Sequence, residues 1–335
     1  MTGTASAEPI ETWALVACVP NDNLICNVEY DLPSISITMD VYMPPAGQTY
    51  PAVILIHGGG WESGDKRSEF MIDRATYLTS RGLVAVAINY RLTCDPPAPE
   101  SVADADLCVG NGHGTVGTVT EAVDDAQEAM EHVGDNAAGF RIDATKGIGA
   151  LGISAGGLLA ADLALKGAEG GVRADAAVTW SGAMHLEHIN AGYDRPHLSR
   201  KRLVGCWYSG QGACSQGASG WDAYSPQHSC CDTGNLTAQS PLLMFNSHDE
   251  LVERQEPDDM YTLVSGTAEI PVTKVILRNA GHAYYPERQI DLSRGDTIDS
   301  DNYPTTPGIP QLELQTVEEA SAYFFLTYLC LDACS

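Results

Sequence analysis

The sequence predicts an α/β fold, with a mostly parallel central sheet of about eight strands and helices on both of its faces. Short, wholly apolar segments rich in Val and Ile alternate along the chain with longer segments whose apolar residues recur at helical spacing. One of the apolar segments also runs into a glycine-rich turn, Gly152–Gly157, that opens an alanine-rich helix. Strand, helix and strand in regular succession give a parallel sheet, because each helix carries the chain back to the same edge.

The predicted strands differ in how their residues are buried. Ile35–Tyr42 alternates apolar and polar residues and ends before Pro44, which is typical of a half-exposed strand. Val53–Ile56 and Leu83–Ile88 are wholly apolar, as strands covered on both faces should be. Further strands are predicted at residues 147–151, 175–180, 241–246 and 272–277. Helices are predicted at residues 67–80, 119–138 and 316–331.

The chain of 335 residues is compatible with one large α/β domain, and no linker divides it. We therefore predict a single domain over residues 1–335. About sixty residues between the strands at 175–180 and 241–246 are rich in Gly, Ser, His and Trp and hold four cysteines. A connection this long is usually functional or disordered, and the cysteines favour order. We predict that residues 183–240 form a short, disulfide-stapled cap over the carboxyl edge of the sheet, where ligands bind in open α/β folds.

The ten cysteines lie in loop-like sequence and lack the paired spacing of a zinc site. An even number of cysteines in loops indicates disulfides and an oxidising compartment. The pairs expected from proximity in sequence are Cys18–Cys26, Cys94–Cys108 and Cys330–Cys334, although sequence does not fix connectivity. Residues 1–7 are small and polar. With the cysteines, they predict a secreted protein whose leader is absent from this sequence.

The formal net charge of −26 argues against nucleic acid or an anionic membrane as partner, because phosphate binding needs clustered Lys and Arg. No apolar run approaches the ~20 residues that span a bilayer. We therefore expect no nucleic-acid partner and no membrane span.

The turn Gly152–Gly157 has the residues of a nucleophile elbow. In such an elbow a serine stands on a sharp strand-to-helix turn, so small residues must flank it two positions on either side, here Gly152 and Gly156. Ser154 is the predicted nucleophile. The backbone amide of Ala155 would lie at the start of the following helix, where unpaired donors and the helix dipole favour a developing oxyanion.

A serine nucleophile needs a base, and the base needs an anion to orient it. Asp249 follows one predicted strand and His282 follows the next, so both should reach the edge of the sheet where Ser154 lies. Glu250 is the alternative acid, and His248 is the alternative base. We favour His282 because a base must approach the serine from a separate loop.

A glycine-rich segment, His57–Gly60, directly follows the strand that ends at Ile56. Three glycines let the backbone approach a ligand closely and turn its amides toward it. The amides of Gly59 and Gly60, together with that of Ala155, are therefore the predicted oxyanion hole. The alternative is a tight turn that merely ends the strand.

These motifs resemble the α/β-hydrolase superfamily, and within it the carboxylesterases with an HGGG loop, the hormone-sensitive-lipase-like and feruloyl-esterase-like group. The resemblance covers roughly residues 35–285. Its matching segments are Asp40–Pro44, Pro51–Lys66, Asn89–Leu92, Asp125, Arg141–Asp143, Gly152–Gly157, Ser225–Pro226, Ser247–Val252 and Gly281–His282. The resemblance implies an α/β-hydrolase fold and a serine esterase without a cofactor, with the triad Ser154, Asp249 and His282. It also implies that Arg91 and Asp125 form an interior ion pair.

Aromatic residues cluster in segments that should converge near the active edge: Trp61, Trp180, Trp207, Tyr208, Trp221, Tyr284 and Tyr285. Aromatic side chains there would suit a flat acyl group, although such residues more often serve packing. Trp61 and Tyr284 are the best candidates for substrate binding, because they adjoin the predicted oxyanion loop and base.

The acidic stretch Asp291–Asp301 could form a calcium loop, but its spacing does not match an EF-hand. A solvated surface loop is the favoured interpretation, and no metal is predicted.

The main hypothesis is a secreted serine carboxylic-ester hydrolase that forms an acyl-enzyme on a small-molecule or polymeric ester. Aromatic esters of the feruloyl or polyester type are candidate substrates. One alternative is a serine peptidase or amidase of the same fold, which the lack of a gating domain disfavours. A second alternative is a non-catalytic, hydrolase-like binding module, which the intact Ser, Asp, His and glycine segment disfavour.

Overall fold

A nine-stranded sheet forms the centre of the part of the chain that the structure describes. The structure is a computed structural model, and it describes residues 15–30, 37–92, 119–165, 173–186, 225–226, 240–248, 251–267, 271–282, 285–301 and 311–330. Along the sheet the strands follow the order β1-β2-β4-β3-β5-β6-β7-β8-β9. Their bounds are Leu24–Glu29 (β1), Thr38–Tyr42 (β2), Ala52–Ile56 (β3), Val84–Ile88 (β4), Ile148–Ile153 (β5), Ala177–Trp180 (β6), Leu242–Ser247 (β7), Val272–Leu277 (β8) and Thr297–Asp301 (β9).

The six central strands, β4, β3, β5, β6, β7 and β8, run parallel to one another. Strands β1, β2 and β9 pair antiparallel at the two edges. Every residue of the apolar strands β3 and β4 is buried, as expected for strands covered on both faces. Strands β7 and β8 are also buried throughout, although they include polar residues such as Asn246 and Lys274. Because the central strands are parallel, the segments that follow them all leave the sheet at one edge.

Five helices of the described chain cover the two faces: Glu69–Ser80 (α1), Val119–Asp135 (α2), Ala155–Leu165 (α3), Gln255–Thr267 (α4) and Val317–Leu329 (α5). Residues of α2, α3 and α4 pack with the sheet in one hydrophobic cluster. Residues of α1 and α5 pack against the opposite face in a second cluster. The predicted α/β class with helices on both faces is therefore confirmed.

The helix boundaries lie close to those predicted from periodicity. Helix α1 begins after Ser68, whose hydroxyl accepts a hydrogen bond from the Met71 amide. Helix α5 begins with a capping box, in which Thr316 and Glu319 each accept a hydrogen bond from the other's backbone amide. Helix α2 ends at Asp135, before the predicted end at residue 138, and a short 3₁₀ turn follows over Ala137–Phe140.

The prediction of about eight strands is close, but both edge strands were missed. Strand β1 is irregular, since Asn27 has a φ of 54° and the register shifts between Ile25 and Val28. Strand β9 lies within the acidic stretch 291–301, so the prediction of a solvated surface loop is wrong for Thr297–Asp301. Edge strands are hard to recognise because polar and charged residues are common in them.

Two predicted interactions are confirmed. Asp125 is fully buried and accepts hydrogen bonds from the backbone amide of Arg91 at 2.7 Å and from its guanidinium at 2.6–3.0 Å. Cys18 and Cys26 form a disulfide. Cys330 is also disulfide-bonded, whereas its expected partner Cys334 and the pair Cys94–Cys108 lie outside the described residues.

Of the predicted cap, 183–240, the structure describes only residues 183–186, 225–226 and 240. The cap and the single-domain division over residues 1–335 therefore stay predictions. Among the helices that the structure describes, none has the length and apolar character needed to cross a membrane.

Candidate active site

Ser154 occupies the turn between the last residue of β5 and the first residue of α3. Its φ of 53° lies in the left-handed region. Such a backbone costs a non-glycine residue on the order of 1–3 kcal/mol and persists only where its surroundings enforce it. Two hydrogen bonds do so here: the Ser154 amide donates to the Trp180 carbonyl at 2.8 Å, and the Ser154 carbonyl accepts from the Gly157 amide at 2.9 Å. The sequence pattern of an elbow is thus present as a sharp turn.

The glycines around Ser154 are required by close contacts between backbone segments. A Cβ atom on Gly152 would lie 2.0 Å from the Gly156 carbonyl oxygen. On Gly156 it would lie 2.3 Å from the Ile56 carbonyl oxygen, and on Gly157 2.5 Å from the Gly182 Cα. Because these neighbours are backbone atoms, a side chain cannot be accommodated by rotamer changes alone. The flanking glycines therefore allow the turn to pack against β3 and the segment after β6.

His282 lies directly against Ser154. Its Nε2 atom is 2.8 Å from the Ser154 Oγ atom. His282 follows β8 by a short loop in which Asn279 and Gly281 both have positive φ, at 53° and 74°. A neutral imidazole nitrogen at this distance can accept the hydroxyl proton. His248, the alternative base, is exposed at the end of β7, so the structure brings His282 rather than His248 to Ser154.

The loop that carries His282 is anchored by Tyr285, which is buried. The Tyr285 hydroxyl donates to the Phe245 carbonyl at 2.9 Å and contacts the Ser181 Oγ atom at 2.8 Å. The same Phe245 carbonyl accepts the Ser181 amide at 2.7 Å. These bonds join the His282 loop to the ends of β6 and β7. The sequence analysis favoured packing over a pocket role for Tyr285, but no local pattern signals its anchoring contacts.

The predicted acid Asp249 and its alternative Glu250 both lie outside the described residues. The structure does describe His248, the residue directly before them. The His248 amide donates to the Leu277 carbonyl at 2.8 Å, so β7 still pairs with β8 at the point where residue 249 follows. Strand β8 is also the strand whose loop carries His282. The assignment of Asp249 stays a prediction.

The glycine loop, which we define as residues 57–66, packs against the turn of Ser154. A Cβ atom on Gly58 would lie 3.1 Å from the Ser154 Cβ and 2.9 Å from the Ile153 carbonyl oxygen. Gly59 and Gly60 both have positive φ, at 121° and 64°. Their amides have no hydrogen-bond partner among the residues that the structure describes. Ala155 is the first residue of α3, where helix amides lack an intrahelical acceptor. The three predicted oxyanion donors thus belong to segments that adjoin Ser154.

Two of the candidate aromatic residues, Trp61 and Trp180, are buried. Trp61 exposes only 4% of its surface and belongs to a core cluster. Trp180 is fully buried, and its indole donates to the Ser321 hydroxyl at 3.0 Å. The remaining candidates lie outside the described residues: Trp207, Tyr208, Trp221 and Tyr284. The role of Trp61 in substrate binding stays a prediction, as does that of Tyr284.

Asp296, in the acidic stretch, is buried and holds its own segment together. Its carboxylate accepts the Arg278 amide at 2.8 Å and the Asp291 amide at 2.9 Å, and it pairs with the Arg288 guanidinium at 3.0 Å. Within the described chain, no group of three His, Cys, Asp or Glu side chains is arranged to hold a metal ion.

The architecture is that of an α/β-hydrolase: a parallel sheet, a serine on a strand-to-helix turn, a glycine loop beside it and a histidine after a later strand. The BD-FAE family model matches residues 39–110. Carboxylesterase NlhH of Mycobacterium tuberculosis is 30% identical over 129 residues, which are 38% of this chain and 33% of that protein. Carboxylic ester hydrolase LipN of the same species is 36% identical over 64 residues, 19% of this chain and 17% of that protein. The chain thus matches about a third of the length of these curated relatives, or less.

Solved structures of esterases share the fold. Est2 from the Planctomycetes species Thermogutta terrifontis has a TM-score of 0.54 and 21% identity, covering 78% of this chain and 84% of that chain. The same esterase phosphonylated by sarin gives a TM-score of 0.57 at 20% identity, covering 79% and 87%. A truncated carbohydrate esterase from gut microbiota gives 0.59 at 17% identity, covering 79% and 92%. The resemblance to carboxylesterases of the α/β-hydrolase fold, stated above from the motifs, is confirmed.

Replacing Gly152 with alanine should destabilise the protein by at least about 2 kcal/mol, because the new methyl group would meet the Gly156 carbonyl. Urea unfolding followed by circular dichroism measures this change. The matched control is Gly134→Ala in α2, where a Cβ atom meets nothing within 4 Å. That variant should keep its free energy of unfolding or gain up to about 1 kcal/mol. Equal stability of the two variants would contradict the close packing of the turn.

Proposed function

We propose that the chain is a serine hydrolase that cleaves carboxylic esters through an acyl-enzyme. The observation that carries this proposal is the 2.8 Å contact between Ser154 Oγ and His282 Nε2, formed on a turn that packs against the glycine loop. The similarity to NlhH and LipN, a carboxylesterase and a carboxylic ester hydrolase, supports ester substrates.

In the proposed reaction, neutral His282 accepts the Ser154 proton while Oγ attacks the ester carbonyl carbon. The amides of Gly59, Gly60 and Ala155 donate to the oxyanion of the tetrahedral intermediate. Collapse of this intermediate breaks the bond to the alcohol oxygen, which takes the proton from His282. Water then attacks the acyl-enzyme with His282 again as base, and the acid is released. Asp249 is proposed to orient the imidazole through its Nδ1–H group.

The same groups would also serve an amidase, and the shared chemistry of acyl transfer makes this the second candidate. Amides need protonation of a poorer leaving group, so turnover of matched ester and amide substrates separates the two. A binding module of the same fold would need neither the Ser154–His282 contact nor the unbonded amides of Gly59 and Gly60.

Secretion is proposed as well, and the Cys18–Cys26 disulfide supports it, because disulfides persist in oxidising compartments. Localisation of the protein in the source organism tests this proposal.

The variant Ser154→Ala should lose ester hydrolysis by about 10⁴-fold or more, because no nucleophile remains. Hydrolysis of p-nitrophenyl acetate measures this loss. A fluorophosphonate probe should label the wild-type protein and leave the variant unlabelled. Ser80→Ala is the control, since Ser80 is exposed at the end of α1 and its hydroxyl donates to the Tyr77 carbonyl at 2.6 Å. Wild-type rates in Ser154→Ala would refute the proposal.

Asp249→Asn should lower kcat by about 10³-fold or more, because a neutral amide no longer stabilises the imidazolium or selects its tautomer. The adjacent Glu250→Gln variant is the matched control and should keep most of its activity. Steady-state kinetics on one nitrophenyl ester decides between the two carboxylates. A large loss in Glu250→Gln alone would transfer the role of the acid to Glu250.

The finer proposal is a preference for aromatic acyl groups, which rests on the aromatic residues in the sequence of the predicted cap and on Tyr284. Methyl ferulate and methyl butyrate share their alcohol, so their kcat/KM values compare acyl groups alone. We expect a kcat/KM at least about tenfold higher for the ferulate, equivalent to about 1.4 kcal/mol of transition-state binding. Bis(2-hydroxyethyl) terephthalate extends the comparison to polyester-type substrates. A preference for the butyrate would remove the aromatic assignment and leave the esterase assignment intact.

A further inference from the structure

Asn89 and Tyr90, the two residues that follow β4, contact opposite ends of the glycine loop. The loop follows β3, and β3 and β4 are parallel neighbours in the sheet. The two segments therefore leave the sheet side by side. Asn89 exposes 6% of its surface and Tyr90 none. Buried polar groups in such a place need hydrogen-bond partners, and both residues find theirs in the glycine loop.

Tyr90 holds the start of the loop. Its hydroxyl donates to the His57 carbonyl at 3.0 Å, and its ring stacks on the His57 ring with centroids 4.4 Å apart and an interplanar angle of 20°. Burial raises the pKa of Tyr90, so its hydroxyl is protonated and can donate at neutral pH.

The His57 ring is in turn enclosed by the loop. Its Nδ1 atom donates to the Gly58 carbonyl at 2.8 Å. A Cβ atom on Gly64 would lie 2.3 Å from the same nitrogen. The loop thus folds back over the ring that Tyr90 supports, and Gly58, Gly59 and Gly60 lie between these contacts.

Asn89 holds the end of the loop. Its Oδ1 atom accepts the Lys66 amide at 2.7 Å, and its Nδ2 atom donates to the Asp65 carboxylate at 3.0 Å. The Lys66 side chain is itself fixed, since its ammonium lies 3.4 Å from the buried carboxylate of Asp40. Both ends of the loop are therefore attached to the same two-residue segment after β4.

Such attachment matters because the loop contains four glycines, and glycine backbones lose more conformational freedom on ordering than any other residue. Oxyanion donors act only when they lie about 2.7–3.1 Å from the developing charge. A loop held at both ends keeps its amides in place before the substrate arrives. A loose loop would bind the substrate equally well and would stabilise the transition state less.

We propose that Tyr90 and Asn89 are positioning residues that fix the amides of Gly59 and Gly60 for the oxyanion. The proposal rests on the function proposed above and adds residues that touch neither substrate nor Ser154. Loss of these contacts should lower kcat, because the amides that they position make an interaction that strengthens in the transition state.

Tyr90→Phe tests the proposal, because it removes the hydroxyl and keeps the ring on His57. Tyr50→Phe is the matched control. Tyr50 is also buried and also donates to a backbone carbonyl, that of Pro45 at 2.9 Å, but it precedes β3 and so lies at the opposite edge of the sheet. Both variants should lose similar thermal stability. A stability effect alone therefore cannot separate them.

Tyr90→Phe should lower kcat about tenfold with KM changed less than twofold, whereas Tyr50→Phe should keep both values. A trifluoromethyl ketone reacts with the Ser154 Oγ atom to give a hemiketal whose oxyanion resembles that of the tetrahedral intermediate. Its affinity for Tyr90→Phe should be lower than for the wild type by the same factor by which kcat falls. Asn89→Asp sets a second carboxylate against Asp65 and should act in the same direction. Equal kcat in Tyr90→Phe and Tyr50→Phe, or a loss confined to KM, would overturn the proposal.

Hydrogen exchange of peptides covering residues 57–66 measures how firmly Tyr90 and Asn89 hold the glycine loop, and it requires no turnover. Faster exchange in Tyr90→Phe than in Tyr50→Phe is expected. Equal exchange rates in the two variants would overturn the positioning role of Tyr90, even if the protein hydrolyses no ester. A wild-type chain that the fluorophosphonate probe does not label would instead refute the function, so the two failures are distinguishable.

Discussion

The close approach of three backbone segments at Ser154 is the constraint on which the candidate site depends. The turn after β5, the glycine loop after β3 and the segment after β6 meet with no room for side chains, as Gly152, Gly156 and Gly157 show. This contact is what holds Ser154 in a left-handed backbone conformation that an isolated peptide would rarely adopt. Interiors are packed too closely to absorb an extra methyl group there, so the position of the turn depends on the sheet around it.

The parallel sheet explains why residues far apart in sequence meet at this point. Ile56 lies opposite Gly152 in the register of β3 and β5, and Ile153 lies opposite Trp180 in that of β5 and β6. The segments after these strands therefore start at the same height on one edge. Ser154 and His282 are 128 residues apart in sequence, yet β5 and β8 deliver them to a distance of 2.8 Å.

Hydrogen bonds to backbone carbonyls and amides hold the loops that follow the strands at this edge of the sheet. Tyr285 ties the His282 loop to β6 and β7, and Tyr90 ties the glycine loop to the segment after β4. The buried pair of Arg91 and Asp125 joins that segment to α2. A buried charge without its partner is costly, so such pairs admit few alternative arrangements. The described segments that carry these contacts thus have defined positions although they lie outside regular structure.

The amino-acid sequence by itself determined the class of fold, the six central strands, helices α1, α2, α3 and α5, and the candidate nucleophile and base. Apolar runs, helical periodicity and glycines at required turns are local features of the sequence, so they can be recognised without knowledge of any tertiary contact. The turn Gly152–Gly157 could be recognised in this way because its backbone geometry admits only glycine two positions on either side of Ser154.

Only the tertiary structure decided the edge strands, helix α4, the burial of Trp61 and Trp180, and the contacts of Asn89, Tyr90 and Tyr285. Strands β1 and β9 are set by pairing with a neighbour rather than by their own polar residues. A tyrosine that lines a pocket and one that holds a loop look alike in sequence. Their roles differ only in which distant carbonyl the hydroxyl meets, and that is fixed when the sheet assembles.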